Sequence, residues 1–360
     1  MLRQFKYFGV NLEDYFKFHL LTLWFIMKKQ SILLAICFIP AILFSSCTRD
    51  KNEPMPQSTV SRLYVSNADT DAAVLNTIIF DPADQSVFPT AYSYNSQLPD
   101  GNGILFDPFS GTVFQVSRKN RNIRTFTVNT DGTLVNKNSF IDEGLTSARE
   151  LAFDRSRNML YIASNTDSAI YVYNNANTLS GSVAANKKLK LNGQPWGIHL
   201  DGDRLFVVID QDRVEVQLFE SASTLVVGTI SPTKKITVSG AIRLHGITYS
   251  EARDALILTD IADPSSSVDG AVYIIDGANV KFTGTGTVVT PSRVISGINT
   301  GLGNPVDVAW DDREGKDLIY IAEKANRKIL IFRFTDKGNV APAVNHTLST
   351  FPEALYIDAR

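Results

Sequence analysis

Six side chains of chemically useful types occupy matching places along the chain, each close to the start of a short apolar phrase. They are Arg149, Glu150, Trp196, His245, Asp307 and Glu353. Carboxylates can act as acids and bases or supply oxygen ligands, and an imidazole can take up a proton. A tryptophan beside polar groups offers a platform for a ring-shaped ligand. If the fold brings these residues together, they would form a pocket for a small molecule or a glycan.

The same residues also have structural interpretations. Polar groups at the end of a channel can be hydrated or pair with one another, as Arg149 could with Glu150 or Glu353. Trp196 follows Pro195 and could pack beneath a turn. A single histidine before a glycine is more often structural than catalytic. The residue types alone leave both interpretations open.

Thiol chemistry is excluded from the body of the chain, because its only cysteines are Cys37 and Cys47. No disulfide framework or cysteine-based zinc site can therefore form beyond residue 47. The sequence also lacks nucleophile-elbow, phosphate-loop and zinc-protease motifs. Calcium held by Glu150, Asp307 and Glu353 stays an alternative. No spacing demands it, so we predict neither a metal nor a cofactor.

A repeated phrase of five residues would position these side chains. Its copies read GILFD, ELAFD, GIHLD, GITYS, DVAWD and ALYID, and they end at Asp107, Asp154, Asp201, Ser250, Asp311 and Asp358. Successive copies lie 47, 47, 49, 61 and 47 residues apart. Second and third apolar runs follow each of the first five copies, and a weaker fourth follows most of them. Four short strands in about 40 to 50 residues are typical of a β-propeller blade.

The two ends of the repeat region are complementary. The chain ends on a first strand, Pro352 to Asp358, whereas the region opens near Arg62 with a second and a third strand and no first. Six first and six second strands predict an all-β, six-bladed β-propeller over residues 61–360, with the ring closed by the C-terminal strand pairing with the N-terminal blade. The 61-residue interval has a surplus of about 14 residues, too few for a seventh blade.

The innermost strands of a propeller run along its central channel. If the repeated phrase is innermost, the residues just before it lie at the channel mouth. One ring would then contain Arg149, Trp196, His245 and Glu353, and the next would contain Glu150 and Asp307. The aspartate that ends the phrase would instead accept hydrogen bonds from its own turn.

The pattern G-I-x-[FYL]-D followed by [LI]-[YF]-[VI]-[AS] resembles the NHL and YVTN propeller families. The segment from Ser117 to Leu134, SRKNRNIRTFTVNTDGTL, is similar to a strand and turn of the lactonase-like YVTN propellers, which usually have seven blades. The resemblance covers about residues 61–360 and implies the fold. Such propellers host hydrolases, lyases, electron-transfer enzymes and binding modules. Gluconolactonase-type propellers hold a channel ion with Glu, Asn and Asp, but their motif has no residue-by-residue match here.

The N-terminal residues are typical of an export signal. From Met27 the chain reads MKKQSILLAICFIPAILFSSC, in which lysines precede an apolar run and small residues precede Cys47. LFSSC resembles the lipobox of bacterial lipoproteins, which implies cleavage before Cys47 and lipid on its thiol. We predict a signal peptide over 1–46, of which 1–26 could be a misassigned start, and a lipidated Cys47 with a flexible spacer over 47–60. An uncleaved membrane helix is the alternative.

These features predict a monomer that is lipid-anchored in a bacterial cell envelope, most simply in the outer membrane, on its periplasmic or surface-exposed side. A net charge of -2 with scattered Lys and Arg argues against a nucleic-acid partner. The first hypothesis is non-catalytic binding of a small molecule, a glycan or an envelope-protein partner at the channel mouth. The alternative is a lactonase-like or other hydrolase that uses His245 with Glu150, Asp307 or Glu353.

Overall fold

The computed structural model describes residues 59–71, 73–211 and 213–360, so the predicted signal peptide and Cys47 lie outside the described residues. The strands, in chain order, are β1 (Ser61–Asn67), β2 (Thr77–Phe80), β3 (Tyr92–Tyr94), β4 (Gly101–Asp107), β5 (Thr112–Ser117), β6 (Asn122–Val128), β7 (Leu134–Ile141), β8 (Ala148–Asp154), β9 (Met159–Ser164), β10 (Ala169–Asn174), β11 (Gly181–Ser182), β12 (Lys187–Lys190), β13 (Pro195–Asp201), β14 (Arg204–Ile209), β15 (Glu215–Phe219), β16 (Gly228–Thr229), β17 (Lys234–Val238), β18 (Leu244–Ser250), β19 (Ala255–Asp260), β20 (Ala271–Asp276), β21 (Thr285–Val289), β22 (Arg293–Ser296), β23 (Pro305–Asp311), β24 (Leu318–Glu323), β25 (Lys328–Arg333), β26 (Val344–Thr347) and β27 (Pro352–Ala359).

Helical structure in these ranges is limited to single turns. They are the 3-10 turns Ala176–Thr178, Ala222–Thr224 and Ile298–Thr300 and the helix α1 (Ala278–Lys281). Within the described part of the chain, no helix has the length and apolar character needed to cross a membrane.

The strands form six small sheets, which we number as blades 1 to 6 in chain order. From the channel outward, blade 1 contains β27, β1, β2 and β3, and blades 2 to 6 begin with β4, β8, β13, β18 and β23. Each of these innermost strands contacts the innermost strands of both neighbouring blades, so the contacts form a closed ring. The predicted all-β, six-bladed propeller is therefore confirmed.

The ring closes through the two ends of the repeat region. Antiparallel pairing joins β27 to β1 from Ser61 opposite Ala359 to Asn67 opposite Pro352. The pairing is extended by a hydrogen bond of 2.9 Å from the Arg360 backbone N–H to the carbonyl oxygen of Val60. The C-terminal strand thus completes blade 1, as the missing first strand predicted.

Three blades receive a fifth strand from the blade that follows. β11 pairs in parallel with β7 of blade 2, β16 with β12 of blade 3, and β21 with β17 of blade 4. Part of the surplus in the 61-residue interval is therefore a strand rather than loop. Because β21 belongs to the chain segment of blade 5, this pairing ties blades 4 and 5 together at their outer edge.

The apolar core is divided into six clusters, one between each pair of neighbouring blades. Aromatic rings bridge several of these interfaces. Tyr64 of blade 1 stacks on Phe106 of blade 2 at 5.3 Å, and Phe206 of blade 4 stacks on Tyr249 of blade 5 at 5.0 Å. Each blade buries both faces, so its stability depends on its two neighbours.

The aspartate that ends the repeated phrase bonds its own turn, as predicted. Asp107 accepts a hydrogen bond of 3.1 Å from the Ser110 backbone N–H, and Asp154 accepts one of 3.1 Å from the Arg157 N–H. Asp107 also accepts a 2.8 Å bond from Arg155 of the next blade. These aspartates therefore stabilise turns at the C-terminal ends of the innermost strands.

Candidate functional site

A β-bulge interrupts the innermost strand of each blade at the same level of the channel. The pairing register skips between residues 101 and 104, 148 and 151, 195 and 198, 244 and 247, and 305 and 307, and in blade 1 it skips Glu353. A bulge leaves residues unpaired and re-aims their side chains. Five of the six predicted site residues lie in a bulge, and Asp307 follows one directly. The bulges therefore lie at the predicted site residues, near the start of each innermost strand.

Four of these residues pack against one another. The Arg149 guanidinium lies 3.8 Å from the centroid of the Trp196 ring, which stacks on His245 at 3.6 Å and 12°. Nη1 of Arg149 lies 3.6 Å from Oε1 of Glu353, and Nε2 of His245 lies 3.2 Å from Oδ1 of Asp210. We call Arg149, Trp196, His245 and Glu353 the channel stack. It occupies the N-terminal ends of the innermost strands.

Charges around the channel stack are balanced by neighbours. Lys324 is bonded to Glu353, and Nε of Arg243 lies 2.7 Å from Oδ1 of Asp210. Burial lowers the pKa of Arg149 to about 10. Burial would raise the pKa of Glu353, but Lys324 and Arg149 outweigh it and lower that pKa, so the carboxylate stays ionised. The pairing of Arg149 with Glu353 matches the structural interpretation of this part of the ring.

Glu150 and Asp307 face a different environment, because they line a cavity of about 710 Å³ in the channel. Oε1 of Glu150 accepts a hydrogen bond of 2.8 Å from the Leu151 N–H, and Oδ2 of Asp307 accepts one of 2.7 Å from the Leu355 N–H. Burial raises the pKa of Asp307 to about 7, and burial together with the Asp307 charge raises the pKa of Glu150 well above its ordinary value. These two carboxyls form the floor of the cavity.

The cavity runs from this floor to the turns at the C-terminal ends of the innermost strands. The middle of its wall is built by the third residue of the repeated phrase: Leu105, Ala152, His199, Thr248, Ala309 and Tyr356. The fourth residue adds a second layer: Phe106, Phe153, Leu200, Tyr249, Trp310 and Ile357. Arg155, Arg157, Asp203 and Asp312 lie at the open end. The cavity therefore opens at the end of the channel opposite to the channel stack.

His199 is the wall residue that sequence reasoning missed. Burial lowers its pKa to about 4, so its imidazole is neutral at pH 7. Neutral imidazole offers one hydrogen-bond donor and one acceptor. The sequence does contain a signal for a cavity-lining position here. The third position of the phrase varies widely between copies, whereas the positions on either side of it are uniformly apolar. By contrast, His245 is buried behind Trp196 and does not line the cavity.

Among the residues that the structure describes, no three His, Cys, Asp or Glu side chains are grouped so that they could hold a metal ion. The alternative of calcium on Glu150, Asp307 and Glu353 gains no support from their placement.

Asp307→Asn is expected to reduce the dependence of the unfolding free energy on pH. Since burial raises the pKa of Asp307 to about 7, the folded protein keeps this proton up to about that pH, whereas the unfolded chain releases it near the ordinary aspartate pKa of 3.8. The folded state therefore binds more protons between about pH 4 and 7, and its stability falls as the pH rises through this window. This contribution is at most about 4 kcal/mol. Urea unfolding at pH 5 and pH 8 measures it.

The exposed Asp71 provides the control for this comparison. Asp71→Asn should keep the pH dependence of the wild type. Equal pH dependence in Asp307→Asn and the wild type would contradict a proton held on Asp307.

No protein-family model and no curated protein matches the chain. The similar proteins were therefore found by comparison with solved structures. A putative 6-phosphogluconolactonase from Bacteroides fragilis is similar with a TM-score of 0.56 at 12% identity, over 85% of this chain and 100% of that chain. The periplasmic gluconolactonase of Pseudomonas aeruginosa gives 0.52 at 11%, over 83% and 99%. A chain of a nidogen/laminin complex gives 0.55 at 12%, over 83% and 98%. These likenesses support the β-propeller fold.

Proposed function

We propose that the protein binds a small polar organic molecule inside its channel cavity, from the end opposite to the channel stack. The observation that carries this proposal is a cavity of about 710 Å³ with the carboxyls of Glu150 and Asp307 at its floor. This volume lies within the usual range for small-molecule sites. A glycan chain or a protein partner could insert only its terminal group, because the floor lies about 13 Å below the end of the innermost strands at about 3.3 Å per residue.

A cavity-filling substitution tests this proposal. Thr248 lines the cavity and is only partly buried, so a phenylalanine there would occupy cavity space. We expect a thermal-shift screen of monosaccharides, sugar acids, sugar lactones and amino sugars to find at least one ligand that raises the Tm of the wild type by about 5 °C at saturating concentration. Thr248→Phe should abolish that shift.

Thr347→Phe is the matched control, because Thr347 is exposed on the outer strand β26. It should keep the shift of the wild type. A ligand that stabilises Thr248→Phe as much as the wild type would show that binding occurs outside the cavity.

Hydrolysis of a lactone is the second candidate function. Two of the similar structures carry lactonase names, and a carboxyl with a pKa of about 7 is suited to proton transfer near neutral pH. For this reaction, Asp307 would take a proton from the water that attacks the lactone carbonyl and return it to the ring oxygen when the ring C–O bond breaks. His199 would donate or accept a hydrogen bond with the substrate. Hydrolysis of glucono-δ-lactone, followed by acid release, should fall by about 100-fold or more in Asp307→Asn. If the wild type does not hydrolyse the lactone, binding is the one of these two candidate functions that remains.

We also propose that the protein is anchored in the bacterial envelope through lipid on Cys47, with its propeller free in the periplasm or at the surface. The sequence MKKQSILLAICFIPAILFSSC supports this location. Cys47→Ser should move the protein from the membrane fraction to the soluble fraction and remove the mass of the lipid. Unchanged fractionation of this variant would argue for the uncleaved helix instead.

A further inference from the structure

The cavity lining has a marked excess of acidic over basic side chains. Its acidic lining residues are Asp107, Glu150, Asp154, Asp203, Asp307 and Asp312, whereas Arg155 and Arg157 are its only lining cations among the described residues. Both arginines are already paired. Arg155 lies 2.8 Å from Asp107, and Arg157 lies 2.8 Å from Asp154 and 3.8 Å from Asp203. No cation in the lining is therefore left for an anionic ligand.

The floor carboxyls have no cationic partner. Within the described residues, neither Glu150 nor Asp307 forms an ion pair, and their hydrogen bonds come from backbone N–H groups. Glu353 differs from these two carboxyls, because it is paired with both Lys324 and Arg149. Asp307 is only 4% exposed, so ionising it without a positive partner is costly. A positive group on the floor would remove that cost.

The wall above the floor combines hydrogen-bonding groups with aromatic rings. The side chains of His199, Thr248 and Tyr356 are partly exposed in the cavity, and they form no side-chain hydrogen bond with the described residues. Trp310 lines the next layer, where its ring stacks on Phe334 at 4.6 Å. Aromatic rings attract cations, and free hydroxyl and imidazole groups can bind hydroxyls.

We infer that the channel cavity recognises a hydroxylated amine, whose ammonium group binds between Glu150 and Asp307 while its hydroxyl groups contact His199, Thr248 and Tyr356. This inference rests on the proposed binding function and adds the charge of the ligand. An amino sugar has the size and chemistry that fit. An ammonium group suits the floor because it donates up to three hydrogen bonds and can share them between both carboxyls.

Isothermal titration calorimetry with glucosamine, glucose and gluconate tests the inference on the full-length protein. The three probes share a six-carbon skeleton and differ in charge. We expect glucosamine to bind at least tenfold more tightly than glucose, and gluconate to bind more weakly than both. Glucosamine should also displace protons from the floor carboxyls, so its heat of binding should differ between phosphate and Tris buffers, whereas the heat of glucose should not.

The variant Glu150→Gln/Asp307→Asn should bind glucosamine no more tightly than glucose. Glu220→Gln, which removes a carboxylate from the exposed ion pair with Lys234, should keep the wild-type preference. The inference is overturned if glucose or gluconate binds as tightly as glucosamine, if the double variant keeps the preference, or if none of the three probes binds. If glucose or gluconate binds tightly and Thr248→Phe abolishes that binding, the inference that the ligand is an amine is wrong. The proposed binding of a small molecule in the cavity is then still supported.

Discussion

Deletion of residues 352–360 is expected to abolish cooperative folding of the propeller. These residues form β27, which is the innermost strand of blade 1 and pairs with β1 along its whole length. The deletion would remove the buried side chains of Ala354 and Leu355, expose the edge of β1 and break the contacts of β27 with β4 and β23. A domain is stable by only about 5 to 15 kcal/mol, so loss of a core strand is expected to exceed that reserve.

Circular dichroism during thermal unfolding and size-exclusion chromatography measure this effect. The truncated protein should lose its cooperative transition and aggregate, because an exposed edge strand is a template for pairing with another chain. The control is a protein that begins at Thr59, which keeps every described strand and should unfold like the full-length protein. A Tm within a few degrees of the control after deletion of residues 352–360 would show that the five remaining blades and the open blade 1 suffice.

The second large effect is expected for Gly197→Ala. A Cβ atom at this position would lie 2.3 Å from the carbonyl oxygen of His245 and 3.0 Å from Cγ2 of Ile247. Both contacts lie on the innermost strand of the neighbouring blade, and a backbone carbonyl cannot move aside as a flexible side chain can. The two innermost strands would have to separate, at a cost of about 3 kcal/mol or more. The separation would also disturb the stacking of Trp196 on His245.

Denaturant unfolding gives the loss of stability, and near-ultraviolet circular dichroism reports the environment of Trp196. Gly286→Ala is the matched control, because no atom lies within 4 Å of a Cβ added there. The control should change the free energy of unfolding by less than about 0.5 kcal/mol. Equal stability of the two variants would show that the channel widens at little cost.

The blade pattern was predictable because a strand is recognisable from residues that are close in sequence. Alternating apolar residues, polar turns and a phrase that recurs at intervals of 47 to 61 residues identify the strands without any knowledge of distant contacts. Ring closure was also predictable, since the region lacks a first strand at one end and has a spare one at the other. The parallel pairing of β21 with β17 was not, because the partner of a short edge strand depends on how neighbouring blades pack.

The site was predictable only in part. Aligning the copies of the phrase placed Arg149, Trp196, His245 and Glu353 in one ring and Glu150 and Asp307 in the next. In the structure the first four pack together, and the other two line the cavity. That the first ring packs into a stack while the second faces a cavity was not visible, because an alternating strand pattern does not reveal a bulge. His199 was missed because its ability to contact a ligand depends on the cavity that it faces and not on its neighbours in sequence.

The sequence by itself determined the number of blades, the order of their strands and the residues at each level of the channel, because these follow from local patterns repeated along one chain. Only the tertiary structure decided which way those residues face. The bulges and the close approach of Gly197 to His245 direct Arg149, Trp196, His245 and Glu353 into a packed stack. Glu150 and Asp307 are left facing an open cavity. Side-chain direction at a bulge is set by pairing with other strands, and that pairing exists only in the folded ring.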